Sequence, residues 1–200
     1  MNFKVGFSYF FLLVSIFSFA QDDSKPYSSF GGGLTASSIS GSGTGINKVG
    51  FYLEFGRTKP INPLFSYAFG LRVIQKGALK PPDQENGDYT LYRLTLNYIQ
   101  APFYFSFHKN GVNYCAGVAA GYLLKYNEEN ENGTIRSQTE FRKYELAGSV
   151  GVRFQLSQKV SLNTQLEGSI IPVRPFVGGT FRFNRGQHNS SFVLGLSYKI

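Results

Sequence analysis

The chain has 200 residues, which suits a single domain, and 42% of them are hydrophobic. One cysteine excludes an internal disulfide, and with only two histidines it leaves no usual set of zinc ligands, so no cofactor or metal is expected. The 20 lysine and arginine residues exceed the 12 acidic residues by eight, a surplus that suits ion pairs and lipid phosphates in an exported protein better than nucleic acid.

The first 20 residues have the three regions of a secretory signal peptide. Lys4 supplies the positive region, residues 5–19 form the apolar region, and Ser18 and Ala20 are the small residues of a cleavage site. A transmembrane helix is the alternative, but the apolar run is shorter than the roughly 20 residues that span a bilayer. We therefore expect residues 1–20 to direct export and residues 21–200 to form one outer-membrane domain.

Residues 27–200 contain eight segments in which apolar and polar side chains alternate. The last segment is the clearest, because Phe192, Leu194 and Leu196 share one face and small or polar residues share the other. Its length matches the 9–11 residues with which a tilted strand crosses a bilayer. The predicted strands are residues 27–39, 47–56, 64–76, 90–107, 112–126, 144–156, 160–171 and 191–200.

Residues 90–107 are too long for one regular strand. Leu94 and Tyr98 share one parity, whereas Phe103 and Phe107 share the other. Pro102 cannot donate a hydrogen bond to a strand ladder. We therefore expect a β-bulge at residues 99–102, where the apolar face would change sides.

Short and long connections alternate between these segments. Residues 57–63, 108–111 and 157–159 are short, whereas three of the four intervening connections, 77–89, 127–141 and 173–189, are long. An even number of strands with short periplasmic turns and long extracellular loops is typical of bacterial outer-membrane proteins. The predicted fold is all-β: an eight-stranded antiparallel up-and-down transmembrane β-barrel in the outer membrane of a Gram-negative bacterium.

A soluble β-sandwich or lipocalin-type barrel would show the same alternation with the faces exchanged. One face of the segments carries several ionisable side chains, which favours a barrel whose lumen holds ion pairs. Eight strands leave an interior just wide enough for side chains, so a general diffusion pore is not expected. The ionisable residues of this face are Glu54, Arg72, Glu145, Arg153, Glu167 and Lys199.

The last six residues resemble the carboxy-terminal assembly signal of outer-membrane proteins. In that signal a glycine, here Gly195, precedes two apolar or aromatic residues two positions apart, here Tyr198 and Ile200. The usual last residue is phenylalanine, so Ile200 departs from the pattern. The resemblance implies that the barrel-assembly machinery is a partner.

Residues 94–107 resemble a strand of the outer-membrane β-barrel family of Bacteroidota that includes PorT-like proteins. The family has Tyr-Leu-Glu-Ile-Pro where this chain has Tyr98-Ile99-Gln100-Ala101-Pro102. Gln100 replaces the glutamate, so no role of that charge is carried over. The resemblance implies the barrel fold and the outer membrane, and some members look like envelope or protein-secretion components.

The strongest candidate for binding is the predicted loop 173–189, because long barrel loops carry function more often than walls do. Its arginines can pair with phosphate or carboxylate groups. We expect a non-enzymatic envelope protein whose partners are outer-membrane lipid, lipopolysaccharide or an envelope protein. The candidate binding residues are Arg174, Arg182, Arg185, Phe181 and Phe183.

A hydrolase acting on lipid or peptide at the outer rim is the alternative. His188 lies beside Ser190 and Ser191, and Glu167 or Glu140 would supply the carboxylate of a catalytic triad. Closeness in sequence does not establish that these groups meet, and the alternative stays open at this stage.

Overall fold

The computed structural model describes residues 25–40, 48–82, 87, 89–135, 139–175 and 186–200. Within these ranges no helix is long and apolar enough to cross a membrane. The described residues form ten strands: β1 (Tyr27–Ser40), β2 (Lys48–Asn62), β3 (Phe65–Lys80), β4 (Tyr92–Lys109), β5 (Val112–Asn130), β6 (Gly133–Thr134), β7 (Tyr144–Gln155), β8 (Val160–Ser169), β9 (Arg174–Pro175) and β10 (Gly186–Lys199).

Eight of these strands close into a barrel. Their order is β1-β2-β3-β4-β5-β7-β8-β10, every neighbouring pair is antiparallel, and β10 pairs with β1 from Ser29 opposite Lys199 to Ser40 opposite His188. The short strands β6 and β9 pair antiparallel with the ends of β5 and β10. The predicted eight-stranded up-and-down barrel is therefore confirmed, with no open sheet edge along its wall.

A two-residue turn, Asn110-Gly111, joins β4 to β5. Both residues have positive φ, at 51° and 76°. Asn-Gly is the pair that a two-residue type I′ hairpin turn favours, because that turn needs positive φ at both positions and matches the twist of the strands. We call the barrel end that carries this turn the short-turn end, and the opposite end the long-loop end.

The outward face of the wall is apolar and the inward face carries the charges. Leu34 and Val150, both outward, are 60% and 58% exposed. Contiguous apolar surface of this extent is rare on soluble monomers but is required where a barrel wall meets lipid. The arrangement is the reverse of that in a soluble barrel. Apolar residues on this lipid-facing wall include Phe30, Phe51, Leu53, Phe69, Leu71, Phe103, Val118, Leu166, Phe192, Leu194 and Leu196.

The expected β-bulge at residues 99–102 is absent. The even-numbered residues from Leu94 to Ser106 are buried without interruption, and the odd-numbered residues from Ile99 to Phe105 are exposed. The apolar side chains change sides because the lumen changes character along its axis, from apolar near the long-loop end to polar at its middle. The register shift between β4 and β5 lies at Asn97 and Tyr98 instead.

Strands β3, β4 and β5 continue past the lipid-facing wall at the long-loop end. Gln75 and Asn97 are opposite each other on β3 and β4, and the Gln75 amide donates a hydrogen bond to the Asn97 side chain at 3.1 Å. The next outward residue of β4 on that side is Thr95, and Arg93 follows as an exposed cation. The pair of Leu94 and Glu128 lies three residues beyond Asn97. Because the outward residues from Asn97 to Arg93 are polar, we infer that this pair lies outside the membrane-spanning part of the barrel.

Candidate functional site

Charged and amide side chains meet at the middle of the lumen. Lys76 on β3 places its ammonium 2.8 Å from Glu145 Oε2 on β7 and 2.5 Å from Glu167 Oε1 on β8. Arg72 on β3 donates to the other oxygen of Glu167. These four charged side chains are at most 1% exposed. With Gln100 of β4 they form what we call the lumen network.

The amide of Gln100 links the two sides of the lumen network. Its oxygen accepts hydrogen bonds from Arg72 Nε at 3.0 Å and Arg72 Nη2 at 2.6 Å. Its nitrogen donates to Glu145 Oε2 at 3.0 Å and to Glu167 Oε1 at 3.1 Å. Glutamine has both a donor and an acceptor, so its amide can hydrogen-bond to the cations and to the carboxylates, which a glutamate at this position would not do.

Two cations and two carboxylates make the lumen network electrically neutral. Each carboxylate of the network accepts hydrogen bonds from a cation and from Gln100. Removing one member of such a buried set is costly, because the remaining charge has no water to solvate it. The network therefore ties strands on opposite sides of the lumen together and fills the cross-section there.

A second ion pair lies at the long-loop end and involves Arg174. Its guanidinium donates to both oxygens of Glu128, at 3.1 and 2.6 Å, and stacks 3.8 Å from the Phe141 ring centroid. The Tyr92 hydroxyl donates to Glu128 Oε1 at 2.6 Å. We call Tyr92, Glu128, Phe141 and Arg174 the latch.

The latch corrects the expectation that Arg174 offers its guanidinium to an outside ligand. Arg174 is 7% exposed, and its charge is already matched by Glu128. Arg174 points inward, where it neutralises the buried carboxylate of Glu128. The alternation of apolar and polar residues along a strand cannot reveal such a contact between distant segments. The other four candidate binding residues, Arg182, Arg185, Phe181 and Phe183, lie outside the described residues.

The electrostatics of Glu128 follow from these contacts. Burial by itself would raise the pKa of Glu128, but the hydrogen bonds from Arg174 and Tyr92 outweigh burial and hold the pKa below its ordinary value. The carboxylate form is the form that both donors stabilise.

Two segments close the barrel mouth above the lumen network. Phe141 and Val173 are buried, and the Arg142 amide donates to the Val173 carbonyl at 2.7 Å. The Val173 amide donates in turn to the Gln187 carbonyl at 2.8 Å, which fixes the segment to β10. They cover an apolar cluster formed by Ile39, Tyr52, Ile74, Ala78, Leu94, Leu96, Tyr98, Leu123 and Val193.

Below the lumen network the interior is nearly filled as well. A cavity of about 40 Å³ remains there, lined among others by Glu54, Cys115 and Arg153. That is room for a few water molecules at most, since one water needs about 10–15 Å³. Arg153 donates from Nε to the Asn163 side chain at 2.8 Å.

The groups of the hydrolase alternative do not meet. His188 Nδ1 lies 3.0 Å from the Ser169 carbonyl and 3.4 Å from its hydroxyl. Glu167 belongs to the lumen network, and Ser191 is buried, whereas Ser190 is exposed on the other face of β10. In the part of the chain that the structure describes, no carboxylate hydrogen-bonds to His188, and no cluster of three metal-ligating side chains occurs.

The predicted assembly signal lies where β10 closes the barrel. Tyr198 pairs with Phe30 of β1 and with Val160 of β8, and Gly195 pairs with Gly33. A Cβ added at Gly195 would approach the Gly32 carbonyl oxygen to 2.3 Å, so no larger residue fits without a shift of the β1 backbone. The amide of Ile200 donates to the Ser28 carbonyl at 2.9 Å.

Tyr92, Gln100 and Glu128 were absent from the predicted site. All three point inward, and strand parity places Gln100 and Tyr92 on the inner face once β4 is taken as unbroken. Glu128 escapes that pattern because the register shift in the β4–β5 hairpin changes its parity.

No protein-family model and no curated protein sequence matches the chain. Several solved structures are similar to it, and two of them show the fold. Ail, the attachment invasion locus protein of Yersinia pestis, solved in complex with the heparin analogue sucrose octasulfate, is 17% identical with a TM-score of 0.54, covering 88% of this chain and 99% of that chain. Neisserial surface protein A is 15% identical with a TM-score of 0.52, covering 88% and 97%. The chain therefore has the fold of an outer-membrane eight-stranded β-barrel.

Proposed function

We propose that this protein is an integral outer-membrane protein that binds anionic glycan or lipopolysaccharide through its long-loop end and catalyses no reaction. The observation that carries the proposal is the closed interior. The lumen network, the apolar cluster and the segments around Phe141 and Val173 occupy the barrel from its middle to its mouth. A barrel filled in this way has its useful surface at its ends rather than in a pore.

The sequence of the 173–189 segment supports an anionic ligand. Arg182 and Arg185 alternate with Phe181 and Phe183, and guanidinium groups bind phosphate or sulfate in bidentate geometry. Ail binds a polysulfated saccharide analogue on the same fold. In this proposal Arg174 positions the segment by holding Glu128, and the later arginines contact the ligand.

The test compares binding of purified lipopolysaccharide by the detergent-solubilised barrel and its variants. Arg182→Ala with Arg185→Ala should weaken binding by about tenfold per arginine, the loss expected for a charge-assisted hydrogen bond. Arg93→Ala with Arg142→Ala is the matched control, because both residues are exposed cations at the same end. With dephosphorylated lipopolysaccharide as the ligand, the two double variants should bind with equal affinity.

Equal binding by the double variant and the wild type would contradict the proposal. Loss of a defined lipid or peptide product on His188→Ala alone would favour the hydrolase instead. The resemblance to PorT-like proteins adds an envelope protein as a second partner class, which crosslinking from the long-loop end in intact cells would identify. Fractionation of the cells should place the protein with outer-membrane markers, with residues 1–20 removed.

A further inference from the structure

Among the described residues, the exposed charged side chains at the short-turn end are all positive. Lys25, Arg57, Lys59, Lys109 and Lys159 are exposed there, and we call these five residues the basic rim. The described segments that form this end are residues 25–30, 54–69, 103–117, 150–164 and 196–200. They contain a single acidic residue, Glu54, whose side chain points into the lumen and is 21% exposed.

The long-loop end is different, because acidic residues lie among its cations and two of the cations form ion pairs with them. Arg93 lies 3.8 Å from Glu129, and Arg174 lies 2.6 Å from Glu128. Within the described ranges no residue of the basic rim takes part in an ion pair. Among the described residues, the positive charge of the basic rim is therefore not matched, which makes these cations candidates for binding an anionic ligand.

Three residues of the basic rim stand at the edge of the lipid-facing wall. Arg57 and Lys59 follow Phe55 on the outward face of β2, and their neighbours across the sheet on β3 are Phe69 and Tyr67.

On the other side of the barrel the ammonium of Lys159 lies 5.7 Å from the ring centroid of Tyr198. Aromatic rings of a barrel wall mark the level of the lipid headgroups, and long cationic side chains beside them reach the phosphates.

We propose that the basic rim binds the phosphate groups of anionic phospholipids, such as phosphatidylglycerol, in the leaflet that meets the short-turn end. The inference uses the proposed membrane placement but not the proposed ligand of the long-loop end. A lipid is favoured over an acidic protein because Arg57, Lys59 and Lys159 lie at the edge of the lipid-facing wall, on different sides of the barrel. Each exposed cation near an anionic membrane surface is worth about a fivefold preference.

Spin-labelled lipids test the proposal. The barrel is reconstituted in phosphatidylcholine vesicles, and electron spin resonance measures how strongly labelled phosphatidylglycerol, against labelled phosphatidylcholine, enters the motionally restricted layer around the protein. The test variant carries Arg57→Gln, Lys59→Gln and Lys159→Gln. The control carries Lys125→Gln, Arg142→Gln and Lys143→Gln, which remove the same charge from exposed positions at the long-loop end.

The wild type should select phosphatidylglycerol several-fold over phosphatidylcholine. The test variant should lose most of that selectivity, the control should keep most of it, and 1 M salt should reduce it because the contacts are exposed. Absence of selectivity in the wild type, or equal loss in both variants, would overturn the proposal. A failure of the membrane assignment itself would look different, since no motionally restricted lipid would then be seen with either label.

Discussion

Glu167→Gln tests whether the lumen network holds the barrel together. Glu167 accepts hydrogen bonds from Arg72, Lys76 and Gln100, and its side chain is 1% exposed. The substitution keeps the shape of the side chain but removes one of the two negative charges. The new amide N–H groups would also point at the N–H groups of the cations or of Gln100. Lys76 keeps Glu145 at 2.8 Å, but the nearest remaining carboxylate to Arg72 is Glu54 at 3.9 Å. Removing one partner of a buried ion pair costs about 3–5 kcal/mol, which is the loss that we expect.

The matched control is Glu129→Gln. Glu129 makes the same type of pair with Arg93, but the two side chains are 34% and 54% exposed. Exposed ion pairs contribute about 0–1 kcal/mol, so the control should hardly change the free energy of unfolding. A second variant, Glu167→Gln with Arg72→Met, also removes the cation that has lost its partner and leaves Lys76 paired with Glu145 at 2.8 Å. It should recover part of the loss, because no buried charge is then left unmatched.

The assay is reversible urea unfolding in lipid vesicles, followed by circular dichroism and by heat-modifiable migration in gels. Circular dichroism is needed because the chain has no tryptophan to report by fluorescence. A loss below about 1 kcal/mol for Glu167→Gln would refute the reasoning, since it would put the network in the range of exposed pairs. A double variant no more stable than Glu167→Gln would also contradict the argument from charge balance.

Three further predictions concern the latch, the wall and assembly. Because the pKa of Glu128 is lowered in the folded barrel, the latch should be intact above pH 4.5 and be lost as the pH falls through the lowered pKa; hydrogen exchange of residues 170–175 should rise there, and at pH 7 in Glu128→Gln. Leu194→Arg should cost roughly 2–4 kcal/mol in unfolding experiments if it lies near the bilayer midplane, and an unchanged free energy of unfolding would refute its assignment to the lipid-facing wall. Tyr198→Asp with Ile200→Asp should abolish stable insertion, and normal accumulation in outer-membrane fractions would contradict the assembly signal.

The architecture could be predicted because it depends on local patterns. Alternation decides which side chains face lipid, since successive residues of a strand point to opposite sides. The Asn110-Gly111 turn is also local, because its φ angles follow from those two residue types. These signals survive without any knowledge of which strands are neighbours.

The prediction of a bulge near Pro102 was wrong because it also relied on local alternation alone. Period two reports that apolar residues share a side, but not whether that side is lipid or the apolar part of the lumen. Leu94 and Tyr98 point into the barrel and Phe103 points out of it, although all three are apolar and β4 runs on unbroken.

The sequence alone predicts the strand count, the eight-stranded closure, the outward apolar face and several of the inward charges, although Glu128 escapes it. Which inward charges meet follows only from the folded barrel. Arg72 and Glu167 are 95 residues apart, and Arg174 and Glu128 are 46 apart. Such pairs depend on the stagger of strands on opposite sides of the barrel, which is a property of the whole closed sheet. For that reason the sequence predicts that Arg174 binds a ligand from a loop, whereas in the folded protein Arg174 belongs to the latch.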